Sequence, residues 1–257
     1  MTTEKRSLGL VAAMPREIAP VLARIKGYRR ESVAGRNLYR LPVNGWSVFL
    51  VESGMGAAHA AAATKALIEH AAPEVILNFG FGGAVLSGLE VAELVLAERV
   101  FRLDGDGLTE LPAPDPALGT LVLESCARVG LQLRRAGFVT ACGIRNKGEM
   151  ASRIGGSTAL PLLEMETAAV LQEAQAAGIP VVAIRGVSDA ADEELGFAIE
   201  EFCDADLNLS PWRVAGTLLK RPFLVPQLIR LAGNSRRAGR QLALAVELSL
   251  QALTRQV

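Results

Sequence analysis

The chain has 257 residues, and its 27 Lys and Arg residues balance its 27 Asp and Glu residues. This length suits one large domain, and the neutral charge gives no reason to expect a nucleic-acid partner. Three widely spaced cysteines, none in a CxxC pair, argue against a disulfide framework and indicate a reducing, cytoplasmic compartment. Two histidines are too few for a histidine-based metal site, and no stretch approaches the about 18 apolar residues of a membrane span.

Apolar runs alternate with helical patterns along most of the chain. In chain order, they predict a strand at 8–13, a helix at 17–25, a hairpin of strands 37–41 and 46–51 that turns at Asn44-Gly45, a helix at 57–70, strands at 75–79 and 94–101, a helix at 117–129, a strand at 137–141, a helix at 167–177 and a strand at 180–187. The alternation of buried strands with helices predicts an α/β fold with a largely parallel or mixed sheet.

Three strand ends concentrate unusual residues, and in open α/β sheets ligands bind beyond the carboxyl ends of strands. These segments are 13–17, 80–83 and 185–192, and the acidic pair Glu164 and Glu166 lies before the last of them. Each also has a plain structural explanation. The glycine-rich stretch can be a turn, Ser188-Asp189 can be a helix N-cap, and the two glutamates can be helix-start acids stabilised by the helix dipole.

In combination, the segments resemble the nucleoside phosphorylase/nucleosidase superfamily and, within it, the methylthioadenosine/S-adenosylhomocysteine nucleosidase branch. The matching segments are LGLVAAMPREI at 8–18, VESGMGAAHAAAATKALIEH at 51–70, VILNFGFGGAV at 75–85, LLEMETAAV at 162–170 and IPVVAIRGVSDAAD at 179–192. The resemblance implies a three-layer α/β/α sandwich around a mixed, partly barrel-like sheet. It also implies an enzyme that cleaves the N-glycosidic bond of a purine nucleoside, with no cofactor, and commonly as a homodimer.

The resemblance assigns the catalytic roles to Asp189, Glu17 and Arg185. Asp189 matches the acid that protonates purine N7, and Ser188 would orient it. Glu17 matches the glutamate that activates the attacking water, with Arg185 close to that water. The chemistry needs these types, because loss of the base leaves an oxocarbenium-like sugar. One acid must be protonated near neutral pH, which burial can achieve, while another carboxylate stays ionised.

The resemblance also implies the residues that bind the substrate. Glu166 matches the carboxylate that binds the ribose hydroxyls, Met165 matches the residue that packs on the sugar, and Glu164 lies in the same segment. The remaining candidates at the strand ends are Met14, Asn78, Gly80, Phe81 and Gly82.

The sequence departs from the family at three places. Phe81 stands where the family usually has a small hydroxyl residue, which changes the shape of the pocket. Asn78 stands where the phosphorylases usually have a phosphate-binding arginine, so water is favoured as the nucleophile. Arg16 keeps phosphate open as a co-substrate, because a cation at a strand end can bind an anion. Segment 142–147 lacks the aromatic residue that stacks on adenine in the nucleosidases.

The composition changes near residue 205, which predicts a catalytic domain at 1–205 and a basic amphipathic helical extension at 206–257. Residues 211–257 carry eight Lys or Arg and one acid, a charge of +7, so the rest of the neutral chain carries −7. The extension can pack on the domain or in a dimer interface, or lie on an anionic membrane. The extension and Phe81 resemble the hopanoid-associated phosphorylase group, which implies release of adenine from the lipid nucleoside adenosylhopane.

Three functional hypotheses therefore stand side by side. The chain is a soluble nucleoside hydrolase, an enzyme for a lipid-linked nucleoside at a membrane surface, or a non-catalytic nucleoside-binding protein. The joint presence of Glu17, Glu166, Arg185 and Asp189 argues against the third.

Overall fold

The computed structural model describes residues 6–105, 107–142, 147–154, 156–191 and 211–256. Its elements, in chain order, are β1 (Ser7–Ala12), α1 (Pro15–Arg24), β2 (Arg29–Val33), β3 (Arg36–Val43), β4 (Trp46–Glu52), α2 (Ala57–Ala71), β5 (Val75–Ala84), β6 (Leu94–Asp104), β7 (Gly107–Glu110), α3 (Pro116–Ala127), β8 (Leu133–Ala141), α4 (Lys147–Ile154), β9 (Pro161–Glu164), α5 (Thr167–Ala176), β10 (Val181–Asp189), α6 (Pro211–Lys220), a 3₁₀ turn (Pro222–Leu224) and α7 (Val225–Gln256).

The strands form one mixed sheet, and five of them close into a ring. In the ring, β5 pairs with β10, β10 with β6, β6 with β8, β8 with β9, and β9 again with β5. β1, β4, β3 and β2 continue the sheet outward from β5. Since β4, β1, β5 and β10 run parallel, their carboxyl ends meet at one edge. The predicted α/β fold with a mixed, partly barrel-like sheet is confirmed.

Helices cover both faces of the sheet and complete the three layers. α1, α3 and α7 share one apolar core with the sheet, and α2 and α5 share the other. Side chains alternate between the cores along β1, where Leu10 faces the first and Val11 the second. Burial on both faces explains why these strands are continuous apolar runs in the sequence.

The predicted hairpin is confirmed, whereas the predicted strand end at the glycine-rich stretch is wrong. β3 and β4 turn at Asn44 and Gly45, whose φ angles of 47° and 81° are the left-handed values that this turn requires. The predicted end of a strand before Gly80 is wrong, because β5 continues to Ala84. β2, β7, α4 and β9 were not predicted. β2 is largely exposed, and β7 and β9 have four residues each, so no apolar period marks them.

The second half of α7 is part of the main core. Leu242, Val246 and Leu250 are buried against the sheet, and the Asn44 side chain donates to Thr254 Oγ1 at 2.9 Å. Of the alternatives for the extension, this half of α7 therefore packs on the domain. Residues 192–210 lie outside the described residues, so the division at 205 stays a prediction.

The part of the extension before this docked half exposes large apolar side chains. Leu219, Phe223 and Ile229 are 85%, 67% and 68% exposed. Within the described ranges, no helix is long and apolar enough to cross a membrane.

Candidate active site

Glu17 is buried in the first turn of α1, and three backbone N–H groups hold its carboxylate. Ala13 and Met14 donate to Oε2, and Phe81 donates to Oε1, each at 2.9 Å. The contact with Met14 is one half of a capping box, since Glu17 is the third helical residue and reaches back to the N-cap. Burial raises the pKa of Glu17, and Arg185 and the three N–H groups offset this in part. A carboxylate with a raised pKa is a stronger base than an ordinary glutamate.

The glycines of β5 let the strand pass close to the reactive side chains. A Cβ on Gly80 would lie 2.7 Å from Glu17 Oε1 and 3.5 Å from Arg185 Cζ. A Cβ on Gly83 would lie 2.5 Å from Asp189 Oδ2. The stretch is glycine-rich because of these contacts rather than because the chain turns there.

Arg185 and Glu164 form an ion pair in the interior. Arg185 Nη2 lies 2.7 Å from Glu164 Oε2, 2.8 Å from Asn78 Oδ1 and 2.9 Å from Thr167 Oγ1. Thr140 donates to the other oxygen of Glu164, so both oxygens are engaged. Burial alone would raise the pKa of Glu164, but Arg185 and the two threonine hydroxyls outweigh it and lower that pKa. This buried ion pair holds Glu164 and Arg185 in place in the interior.

Glu166 has one backbone donor and a more open carboxyl group. Gly56 N–H, at the N-cap of α2, donates to Oε1 at 2.9 Å, and Arg185 Nη2 lies 3.9 Å from Oε2. Burial and the nearby charges of Glu164 and Glu17 raise the pKa of Glu166 to about 8, against the attraction of Arg185.

Asp189 lies at the end of β10, where the register with β5 shifts by a bulge after Val187. A bulge redirects a side chain, which here brings the carboxylate against Gly83. Ser188 Oγ lies 2.7 Å from Asp189 Oδ1 and 3.2 Å from the carbonyl oxygen of Gly82. Lys147 Nζ lies 2.5 Å from Asp189 Oδ2.

The larger apolar candidates, Met14, Met165 and Phe81, are half-buried. Met14 and Met165 lie beside Glu17 and Glu166 in sequence and are partly exposed. The Phe81 ring packs towards α7, because a Cβ on Gly239 would lie 3.4 Å from it. Phe81 therefore contributes its backbone N–H to the site, and its ring belongs to the core between β5 and α7.

The structure thus brings the predicted site residues together at one edge of the sheet. Arg16 is exposed on α1. Residues 143–146, in the segment that lacks the adenine-stacking aromatic, lie outside the described residues.

The sequence reading missed Gly56, Thr140, Lys147 and Thr167. The sequence does carry a signal for Gly56, because glycines at 54 and 56 precede an alanine-rich helix. In the structure both glycines have positive φ.

Comparisons with known proteins identify the family of the chain. A family profile described as "Phosphorylase superfamily" matches residues 7–210. The chain belongs to the phosphorylase superfamily. A 5′-methylthioadenosine/S-adenosylhomocysteine nucleosidase of Geobacillus kaustophilus is 31% identical over 209 residues, which are 76% of this chain and 89% of the relative. A nucleosidase of the same name from Actinobacillus succinogenes is 28% identical over 82% of this chain and 97% of its own length.

Solved structures share the fold. Futalosine hydrolase of Helicobacter pylori superposes with a TM-score of 0.73 at 16% identity, covering 95% of this chain and 97% of that one. The 5′-methylthioadenosine/S-adenosylhomocysteine nucleosidase of S. pneumoniae, solved with a transition-state inhibitor, superposes with a TM-score of 0.73 at 21% identity, covering 96% and 99%. The resemblance inferred from the sequence motifs is confirmed.

Proposed function

We propose that this superfamily member hydrolyses the N-glycosidic bond of a purine nucleoside and releases adenine and a ribosyl product. One observation carries the proposal. A buried glutamate with a raised pKa, Glu17, lies at one end of the glycine stretch of β5, and the carboxylate of Asp189 lies at the other. Such an arrangement supplies a base for water and an acid for the leaving group.

On the purine side, the bond from C1′ to N9 breaks and its electron pair moves onto the base. Asp189 passes a proton to N7, so the purine leaves as a neutral molecule. Ser188 sets the rotation of the Asp189 carboxyl group through its 2.7 Å contact with Oδ1. The reaction as proposed needs no cofactor.

On the sugar side, departure of the base leaves an oxocarbenium-like ribosyl group. Glu17 takes a proton from water as the water oxygen attacks C1′. Glu166 binds the ribose hydroxyls, and Met165 and Met14 pack beside the sugar. Glu164 and Arg185 position these groups from the interior, because their contacts are to one another and to neighbouring polar side chains.

The charges on the sugar side of the site favour water over phosphate as the nucleophile. Glu17 lies close enough to Glu166 to raise its pKa, so an anionic phosphate there would be repelled. Asn78 is uncharged, and its side chain already donates to the Val11 carbonyl and accepts from Arg185, so it is a weaker anion ligand than an arginine at this position.

The test is adenine release from methylthioadenosine, adenosine and a lipid-linked adenosine, each with and without phosphate. Free sugar should form at the same rate in both conditions. Sugar 1-phosphate as the main product in phosphate would overturn the choice of water. No adenine release from any of the three would overturn the proposed reaction.

A lipid-linked nucleoside is the second candidate substrate, and the apolar surface before the docked half of α7 favours it. α7 packs on β10 and β5 at Ala238 and Gly239, which lie next to Gly186 and the Phe81 ring. The 13 residues of α7 before Ala238 span about 20 Å, at 1.5 Å per residue. The exposed apolar residues 219, 223 and 229 and the exposed cations Lys220, Arg236 and Arg237 lie along this part of the chain.

Vesicle co-sedimentation tests whether this surface meets a bilayer. We expect binding to anionic vesicles that weakens with salt, since each Lys or Arg near the headgroups contributes about 1 kcal/mol. Deletion of 211–257 is unsuitable, because it removes core residues such as Leu242. Phe223→Ser with Ile229→Ser should abolish binding, and Val129→Ser, at an exposed residue on the body of the domain, should not. Self-association that the same pair abolishes, without vesicle binding, would assign the surface to a second copy instead.

A further inference from the structure

Lys147 is a buried lysine that the proposed mechanism has not used. It is the first residue of α4, and its side chain is 9% exposed. Lysine is rarely buried unless it is paired. Nζ lies 2.5 Å from Asp189 Oδ2 and 2.5 Å from the carbonyl oxygen of Ala190. The ammonium group is therefore fixed at two points on the end of β10.

Among the described residues, Asp189 is the one carboxylate within ion-pair distance of Lys147. α4 packs on β6, β8 and β9 and on Val85 through an apolar cluster. Charged groups of these strands and of α4 form pairs of their own. These pairs are Glu164 with Arg185, Asp104 with Arg102, and Glu149 with Arg153. The charge of Lys147 therefore acts on Asp189.

This pairing places a proton donor of the protein directly on the Asp189 carboxyl group, at Oδ2. Both of its oxygens have donors, Ser188 on Oδ1 and Lys147 on Oδ2. An ammonium group is a stronger acid than an aliphatic hydroxyl, so Lys147 is the donor that can supply a proton to the leaving purine through Asp189.

We propose that Lys147 is a positioning residue that orients the Asp189 carboxylate and holds the proton that Asp189 passes to the leaving purine. The proposal rests on the proposed hydrolysis. As the C1′–N9 bond breaks, the proton on Lys147 Nζ moves to the Asp189 carboxylate, and Asp189 passes a proton to N7. Lys147 is then a neutral amine and regains a proton from solvent after the products leave. The net reaction is unchanged.

The test compares Lys147→Met, Lys147→Arg and the control Lys65→Met, which makes the same change on the exposed face of α2. We expect kcat of Lys147→Met to fall about 10²-fold with little change in KM, a loss within the range of general acid catalysis. The alkaline limb of its kcat profile should move to lower pH, because Asp189 must then take its proton from solvent. Lys147→Arg keeps the charge but cannot release a proton, so it should not restore kcat.

A double-mutant cycle separates this role from a structural one. In the Asp189→Asn background, Lys147→Met should cause no further loss of kcat, since Lys147 acts through Asp189. Each variant must bind adenine and melt cooperatively. A wild-type pH profile in Lys147→Met, full activity in Lys147→Arg, or additive losses in the double variant would overturn the proposal. Absence of adenine release by the wild-type enzyme would instead overturn the proposed hydrolysis.

Discussion

Glu17 and Asp189 lie at the two ends of one glycine stretch, yet the protein holds them by different means. Backbone N–H groups from the end of β1 and from β5 surround Glu17. Side chains, those of Ser188 and Lys147, surround Asp189. The geometry of Glu17 follows from the fold itself and does not depend on neighbouring side chains. That of Asp189 depends on two residues that substitution can change one at a time.

The largest effect is expected at Glu17. Glu17→Gln removes the base and places an amide NH2 among backbone donors, so kcat should fall about 10⁴-fold, the upper end for general base catalysis. Binding should persist, measured by titration with a non-hydrolysable nucleoside analogue. Turnover within tenfold of wild type would assign the nucleophile to another group.

A smaller loss is expected at Asp189. Asp189→Asn keeps the shape and can still donate a hydrogen bond to N7, but it cannot transfer a proton. We expect kcat to fall about 10²–10³-fold with an unchanged circular dichroism spectrum. Turnover near that of wild type would remove Asp189 from the mechanism.

A substitution at Ser188 tests whether side chains hold the Asp189 carboxyl group in place. Ser188→Ala removes one hydrogen bond to Asp189 Oδ1, and such a bond contributes roughly 1 kcal/mol, so kcat should fall roughly fivefold to tenfold. Thr120→Ala removes a hydroxyl on the exposed side of α3 and is the matched control. Equal rates for the two variants would show that Ser188 does not orient Asp189.

Glu166 combines burial with a single backbone donor, and its effect on stability depends on pH. Its pKa is raised to about 8 in the folded protein, so the folded state binds more protons than the unfolded state between the ordinary glutamate pKa and about 8. Stability should therefore decline as the pH rises through that window.

Glu166→Gln removes this carboxyl group, so its unfolding midpoint in urea should decline less between pH 5 and pH 8 than that of wild type. Glu17, whose pKa is also raised, contributes a decline of the same sign in both proteins. Parallel declines would show that Glu166 does not gain protons on folding.

The sequence predicted the fold better than it predicted how the site is held. Strands such as β1 are buried on both faces, and their apolar runs are visible without a structure. The role of Phe81 was not visible in the sequence, because Phe81 contributes its backbone N–H to Glu17, and every residue type except proline has that group. Lys147 is separated from Asp189 by 42 positions, and no local pattern marks a buried ion pair of that range. β9 escaped prediction because four residues are too few to show a period.

The closed ring of strands also constrains how the chain reaches its native state. β5 must pair with β9, as at Gly83 and Leu163, and with β10, as at Ile76 and Val181, so the ring closes only after long stretches of chain have been ordered. Contacts of such sequence separation slow folding, whereas helices such as α2 form locally and early. Glu17, Glu166 and Arg185 meet only when both β9 and β10 have paired with β5. During refolding, recovery of nucleoside binding should therefore lag behind recovery of helical signal, and the two traces should merge only in the slowest phase.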